Sequence, residues 1–230
     1  MFREISLLLQ CKSKKFLEYD ISKPIPQGSN RAQDKENTRI AAISDELSRL
    51  CAIHEAQLRV SQTNVDSFEI EQRIAEQFAK SQGFWIPMTS IFDLGIPGPS
   101  GNENDTYVAD NVIYKVNNLL NCGSIRSLLN KLLLHNTIFP DTAYTFYGLT
   151  GFDGRTIQPV IAQPRIANAQ PATQIMIDTY MAALGFEKLN STGRFSNSTY
   201  EVWDLLPRNV LIDCEGDIFV VDAEIKFIGK

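Results

Sequence analysis

The sequence predicts an α+β fold, with a helical N-terminal region ahead of a mixed helix-and-strand domain. Three observations predict it. Apolar residues recur at helical spacing up to about residue 83. From Phe84 onward Gly, Pro, Asn and β-branched residues rise. Short apolar runs bounded by turn residues then alternate with further helical patterns. The 230 residues suffice for one sizeable domain or two small ones, and the composition shift divides them at 1–83 and 84–230.

The elements follow in order. Met1 to Cys11 holds an apolar stretch too short for a signal peptide and without a small-residue cleavage site. Gln10 stands where a lipid attachment site at Cys11 would want a small residue. Residues 12–36, polar and carrying Pro24 and Pro26, read as a loop or linker. From Asn37 to Gln62, Ile40, Ile43, Leu47, Leu50 and Ile53 recur at steps of three and four. A second helix is expected over Ser67–Ser81, opened by an Asp66/Glu69 capping box, striped by Ile70, Ile74 and Phe78, and stopped at Gly83. These helices are expected to pack on the rest of the chain. Leu94 to Gly101 is a loop and Val112 to Val116 a strand. Ser124 can cap a helix whose Ile125, Leu128, Leu129, Leu132 and Leu133 form one broad apolar face. Strands at 143–147 and 156–162, a helix over 173–184 ended by Gly185, and a hairpin over 186–203 follow. Strands at Val210–Ile212 and Ile218–Val221 flank a turn at Asp213–Asp217.

Composition narrows the function. Lys and Arg total 22 against 27 Asp and Glu, a net charge of −5, and no long basic run appears. A general grip on nucleic-acid backbone is therefore not expected. The four cysteines are scattered without a CxxC pair, which argues against a disulfide framework or thiolate zinc site and for a reducing cytoplasm. Two histidines, His54 and His135, make a Ser-His-Asp arrangement a poor expectation. No apolar run reaches the ~18 residues of a membrane span.

Three segments carry chemistry. Lys115 interrupts an apolar strand, where a lysine costs desolvation unless an anion meets it; taken alone it reads more readily as an edge-strand lysine facing water. Asp204-Leu-Leu-Pro-Arg-Asn209 then enters the apolar Val-Leu-Ile. A carboxylate there can orient an acceptor hydroxyl, and an amide oxygen five residues on can help to hold a metal ion. Asp222 ends the strand Ile218-Phe-Val-Val, a position suited to a Mg²⁺ ion that bridges nucleotide phosphates. The tight hairpin between the last two segments should set Asn209 beside Asp222.

Together these segments resemble the kinase-like superfamily, and more narrowly the compact kinase domain of polyvalent proteins from phages and conjugative elements. The resemblance covers about residues 84–228. It rests on Gly101-Asn-Glu-Asn-Asp-Thr-Tyr-Val, Val112-Ile-Tyr-Lys-Val-Asn-Asn-Leu-Leu-Asn, Leu132-Leu-Leu-His-Asn, Gly148-Leu-Thr-Gly-Phe-Asp-Gly, Leu205-Leu-Pro-Arg-Asn-Val-Leu and Val220-Val-Asp-Ala-Glu-Ile, in the order and spacing that the family requires. It implies a two-lobed fold with a truncated C-lobe and a site for ATP and Mg²⁺. Lys115 is then similar to the phosphate-pairing lysine, Asp204 to the catalytic aspartate, and Asn209 and Asp222 to the metal ligands. The stretch from Gly98 to Asp105, with Gly101 and Asn104, resembles the glycine-rich loop without its full spacing. Gln158 to Pro164, including Gln163, would connect the lobes and face the adenine.

The pattern departs from the family at several points. No Glu lies between Lys115 and His135; Lys131 sits on that helix instead. Val202 and Trp203 precede Asp204 where His and Arg are usual, and Asp222 is followed by Ala and Glu. Eight residues follow Asp222, too few for the segment that usually binds peptide substrates. The reading is a cytoplasmic ATP- and Mg²⁺-dependent phosphotransferase of a mobile element, acting on a protein. The alternatives are a pseudokinase or nucleotide-binding interaction module, and a metal-dependent nuclease built on Glu224-Ile-Lys226 with Asp213 or Asp222.

Overall fold

The computed structural model describes residues 31–60, 66–151, 156–191 and 193–229. The N-terminal apolar stretch with Cys11, most of the expected linker, the end of the first predicted helix at Gln62, and Phe152 to Gly154 lie outside the described residues.

Helix α1 spans Arg31–Val60 and helix α2 Ser67–Gln82. The first turns of α1 lack an apolar stripe, so hydrophobic periodicity could not reveal that the helix begins before Asn37. Asp66 caps α2 by accepting from Phe68 N, and Gly83 ends it at a φ of 76°. The buried face of α2 is not the predicted stripe. Ile70 is buried together with Glu71, Gln72, Ala75 and Ala79, while Ile74 and Phe78 are only half-buried.

A 3₁₀ turn over Met88–Asp93 leads into a five-stranded antiparallel sheet ordered β1-β2-β3-β5-β4. Its strands are β1 Ile96–Pro97, β2 Asn104–Val108, β3 Val112–Asn117, β4 Thr145–Gly151 and β5 Ile157–Pro164. Helix α3, Ile125–Ile138, lies between β3 and β4 in the chain and is capped by the Ser124 hydroxyl on Ser127 N. Its Ile125, Leu128, Leu129 and Leu132 join Ile40, Leu47, Cys51, Ala75 and Ala79 from α1 and α2, and Phe146, Leu149, Ile157 and Ile161 from the sheet, in one core. The two N-terminal helices thus close the outer side of α3.

Polar contacts fix that arrangement. Glu71 is 1% exposed and accepts from Ile125 N, at 2.8 Å, and from Arg126 Nε, also at 2.8 Å. A carboxylate therefore meets the open N–H groups of α3 at its positive end. Glu36 accepts from Phe146 N and Arg39 donates to Phe146 O, so side chains of α1 satisfy the backbone of β4.

The second lobe holds helix α4, Gln174–Ala183, with two smaller sheets. One is ordered β11-β10-β6 and the other β12-β9-β8-β7. Their strands are β6 Gln170–Pro171, β7 Glu187–Asn190, β8 Arg194–Ser196, β9 Tyr200–Trp203, β10 Val210–Ile212, β11 Ile218–Val220 and β12 Glu224–Phe227. The hairpin expected over 186–203 is a three-strand meander, extended by β12 pairing antiparallel with β9. Phe139, Ile177, Met181, Phe186, Phe195, Val202, Leu205, Val210 and Val220 pack at its centre. The lobes connect through 165–169, since 157–164 is a sheet strand throughout. No described helix is long and apolar enough to cross a membrane.

Candidate active site

Lys115 sits in the middle of β3, opposite Thr106 of β2 and Ile161 of β5, so it is not an edge-strand lysine facing water. Its Nζ donates to Tyr144 Oη and to the carbonyl of Val221, each at 3.1 Å. The same ammonium lies 5.0 Å from the Tyr144 ring centroid. Burial lowers the Lys115 pKa, and the negative charge of Asp222 pulls the other way.

Tyr144 is held firmly. Its N–H donates to Asn136 Oδ1 at 2.6 Å, its carbonyl accepts from Asn136 Nδ2 at 2.9 Å, and its hydroxyl donates to Val221 O at 2.9 Å. His135 packs against its ring, with centroids 4.6 Å apart. Tyr144 and one backbone carbonyl therefore hold Lys115.

The catalytic-loop side is built locally. Asn209 O accepts from Val221 N at 2.9 Å and from Asp222 N at 3.4 Å, so the β10–β11 hairpin sets Asn209 beside Asp222 as its length predicts. Asn209 Nδ2 donates to Asp204 O and to Asp204 Oδ2, both at 2.8 Å. Those bonds use the amide nitrogen and leave Oδ1, the amide atom able to meet a cation, outside them. Asp204 has a φ of 62°, and Arg208 donates to its other carboxylate oxygen. Gly193 makes room for this loop: its φ is 67° and a Cβ there would meet Leu205 O at 2.3 Å.

The helix side carries inverted charge. Lys131, on α3, reaches Glu224 Oε1 at 2.6 Å, Asp222 Oδ1 at 3.8 Å and Glu103 Oε2 at 3.9 Å. Burial alone would lower its pKa, but the three carboxylates outweigh burial and raise it. Glu103 is pushed up by burial and held back by Lys131.

The loop expected to resemble a glycine-rich loop joins β1 to β2. Gly98 N donates to Thr106 O and Gly101 N to Asn104 O, while Asn104 Oδ1 accepts from Asn117 Nδ2. The loop's end reaches the centre of the site through Glu103. Gln163 is 3% exposed; its Nε2 donates to Thr142 O at 2.7 Å, and its side chain also hydrogen-bonds the Tyr144 side chain that holds Lys115. Asp213 turns into its own β10–β11 turn, accepting from Glu215 N and Asp217 N, and Lys226 is exposed. A cavity of about 320 Å³ opens beside the loop, lined by Asn121, Arg194, Trp203, Asp204 and Glu224.

Sequence reasoning missed Tyr144 and Glu103 as site residues. Tyr144 lies in the two-residue link between the Pro140–Thr142 3₁₀ turn and β4, and no spacing rule ties it to Lys115. Glu103 lies within the Gly98–Asp105 stretch that carries the resemblance, and a carboxylate in that loop was a readable signal.

One comparison decides the family. The model of the serine/threonine/tyrosine kinase found in polyvalent proteins matches residues 69–228. The chain belongs to this kinase family. The match takes in nearly all of α2 and every later element through β12, and leaves α1 outside it. No curated protein matches the chain.

Proposed function

We propose that this kinase-family chain is an ATP- and Mg²⁺-dependent phosphotransferase of a mobile genetic element, working in the cytoplasm on a protein acceptor. The observation that carries this reading is the convergence of three segments distant in sequence. The enclosed Lys115 ammonium bonds the carbonyl just before Asp222, and Asn209 O accepts from Asp222 N while the Asn209 side chain holds Asp204. Lys115 would pair with nucleotide phosphates, and Asp204 would orient the acceptor hydroxyl at the mouth of the Asn121–Trp203 cavity. The residues fit a hard cation: Asn209 and Asp222, whose backbones meet, each offer a side-chain oxygen, and the Asp222 side chain is 36% exposed. Asn209 and Asp222 would hold the Mg²⁺ ion, whose positive charge would offset the negative charge that develops on transfer.

The test is calorimetric titration of Mg·ATP into the wild type and Asp222→Asn, with a thermal-shift check. Nucleotide at 100 times its Kd should add about 2.7 kcal/mol of stability. Binding in the wild type that Asp222→Asn abolishes supports the reading. A folded wild type that binds no nucleotide overturns it.

One observation favours a second reading, a nucleotide-binding interaction module without transfer. Arg208 occupies one carboxylate oxygen of Asp204. Label transfer from ATP that depends on Asp222 would exclude it.

A further inference from the structure

Lys131 carries a charge that the site as described so far does not use. Its side chain is 11% exposed and faces three carboxylates from three parts of the chain: Glu103 just before β2, Asp222 after β11 and Glu224 in β12. The helix that presents it is capped at its N-terminus by Glu71 and packed on α1 and α2, so Lys131 is not on a mobile tether. An ammonium so placed does what a bound cation does among carboxylates. It offsets part of their charge, orients them and keeps them together.

We infer that Lys131 is a resident substitute for a second divalent cation, so that the site takes a single divalent ion with its nucleotide. This rests on the phosphotransferase reading above. Asp222 has two sides. One is tied through its backbone to Asn209, where the amide oxygen is left for a cation. The other, Oδ1, faces Lys131 at 3.8 Å, and Lys131 is bonded in turn to Glu224 at 2.6 Å. A divalent ion on that second side would meet the ammonium at close range, with twice the repulsion of a unit charge. Expelling Lys131 instead would strand a desolvated ammonium and break its bond to Glu224. The arrangement also gives the missing helix glutamate a reason. With Tyr144 and the Val221 carbonyl holding Lys115, the helix position is free to carry a cation toward the metal-side carboxylates.

The inference is tested by counting Mn²⁺ bound by the full chain with a non-hydrolysable ATP analogue, from the electron paramagnetic resonance signal of free Mn²⁺. The wild type and Lys131→Arg should each bind one Mn²⁺ per nucleotide. Lys131→Met, folded by circular dichroism, should bind a second equivalent. Two Mn²⁺ in the wild type overturns the inference and leaves the phosphotransferase reading standing. One Mn²⁺ in a folded Lys131→Met overturns it as well. No Mn²⁺–nucleotide binding in the wild type overturns the phosphotransferase reading and the inference with it. If Lys131→Met does not fold, the wild-type and Lys131→Arg counts still decide, because two ions in either contradict the role given to the ammonium.

Discussion

The loop side and the helix side of the candidate site handle their charges in opposite ways. From Asp204 to Asp222, Asp204, Asn209 and Asp222 are set by one loop and one hairpin, and their contacts are short-range. On the helix side, Lys115, Lys131, Tyr144 and Glu103 come from four separate elements or links and meet only in the folded molecule. The loop side carries the residue types that the resemblance leads one to expect, and the helix side carries Lys131 where the resemblance leads one to expect an acid. Where geometry is local, the motif itself carries the chemistry. Where it is assembled at long range, the same task of holding Lys115 and Asp222 can be met by different residues.

The largest effect that would sharpen this contrast is on the loop side. Asp204→Ala should lower phosphate transfer by roughly 10²- to 10⁴-fold, the range for a positioned general base, with the unfolding midpoint little changed. Asp204 is part-exposed at the cavity mouth, so its removal empties no core. Transfer at the wild-type rate in that variant would remove Asp204 from the chemistry.

The helix side should behave the other way. Tyr144→Phe keeps the ring under Lys115 but removes the hydroxyl that accepts from its Nζ and donates to Val221 O. Leaving an enclosed cation with one partner fewer should cost about 1–3 kcal/mol in urea unfolding. The KM for nucleotide should rise more than kcat falls, since Lys115 loses its anchor while Asp204 is untouched. An unchanged stability and KM would mean that the Val221 carbonyl alone positions Lys115.

The same division explains what the sequence could reveal. Asp204, Asn209 and Asp222 were legible because spacing along one stretch encodes their meeting. The apolar face of α3 was legible because its period is intrinsic to the helix; Ile125, Leu128, Leu129 and Leu132 are each at most 2% exposed. The face of α2 was not. Its buried carboxylate Glu71 and amide Gln72 answer open N–H groups at Ile125 and Ile157, and those donors exist only once the sheet and α3 are in place. Strand β12 escaped notice because Glu224-Ile-Lys-Phe is short and half charged, and its pairing with β9 is what makes it a strand. The Tyr144–Lys115 contact has no sequence period at all.

The smallest effect concerns His135, on the inner side of the same helix. It is fully buried, and its Nε2 lies 3.2 Å from Thr142 Oγ1. Thr142 spends its own hydrogen on Val220 O, so His135 Nε2 must be the donor and the tautomer carries its proton there. Nδ1 is buried without a hydrogen-bond partner, so a second proton would have nothing to donate to. Burial, reinforced by the Lys115 charge and opposed by Asp222, lowers the His135 pKa from 6.5 to about 3. As pH falls through 6.5 the unfolded chain takes up a proton that the folded protein refuses until about 3, so acid destabilises the fold across that window. One proton corresponds to a slope of at most about 1.4 kcal/mol per pH unit. His135→Gln, which keeps a donor toward Thr142, should show a shallower acid limb than the wild type between pH 6 and 4 in urea titrations, and carboxylates common to both cancel in the difference. Equal slopes would mean that His135 is already charged in the folded protein, and the packing of α3 against Tyr144 and Lys115 would then need a counter-charge that Asp222 alone would have to supply.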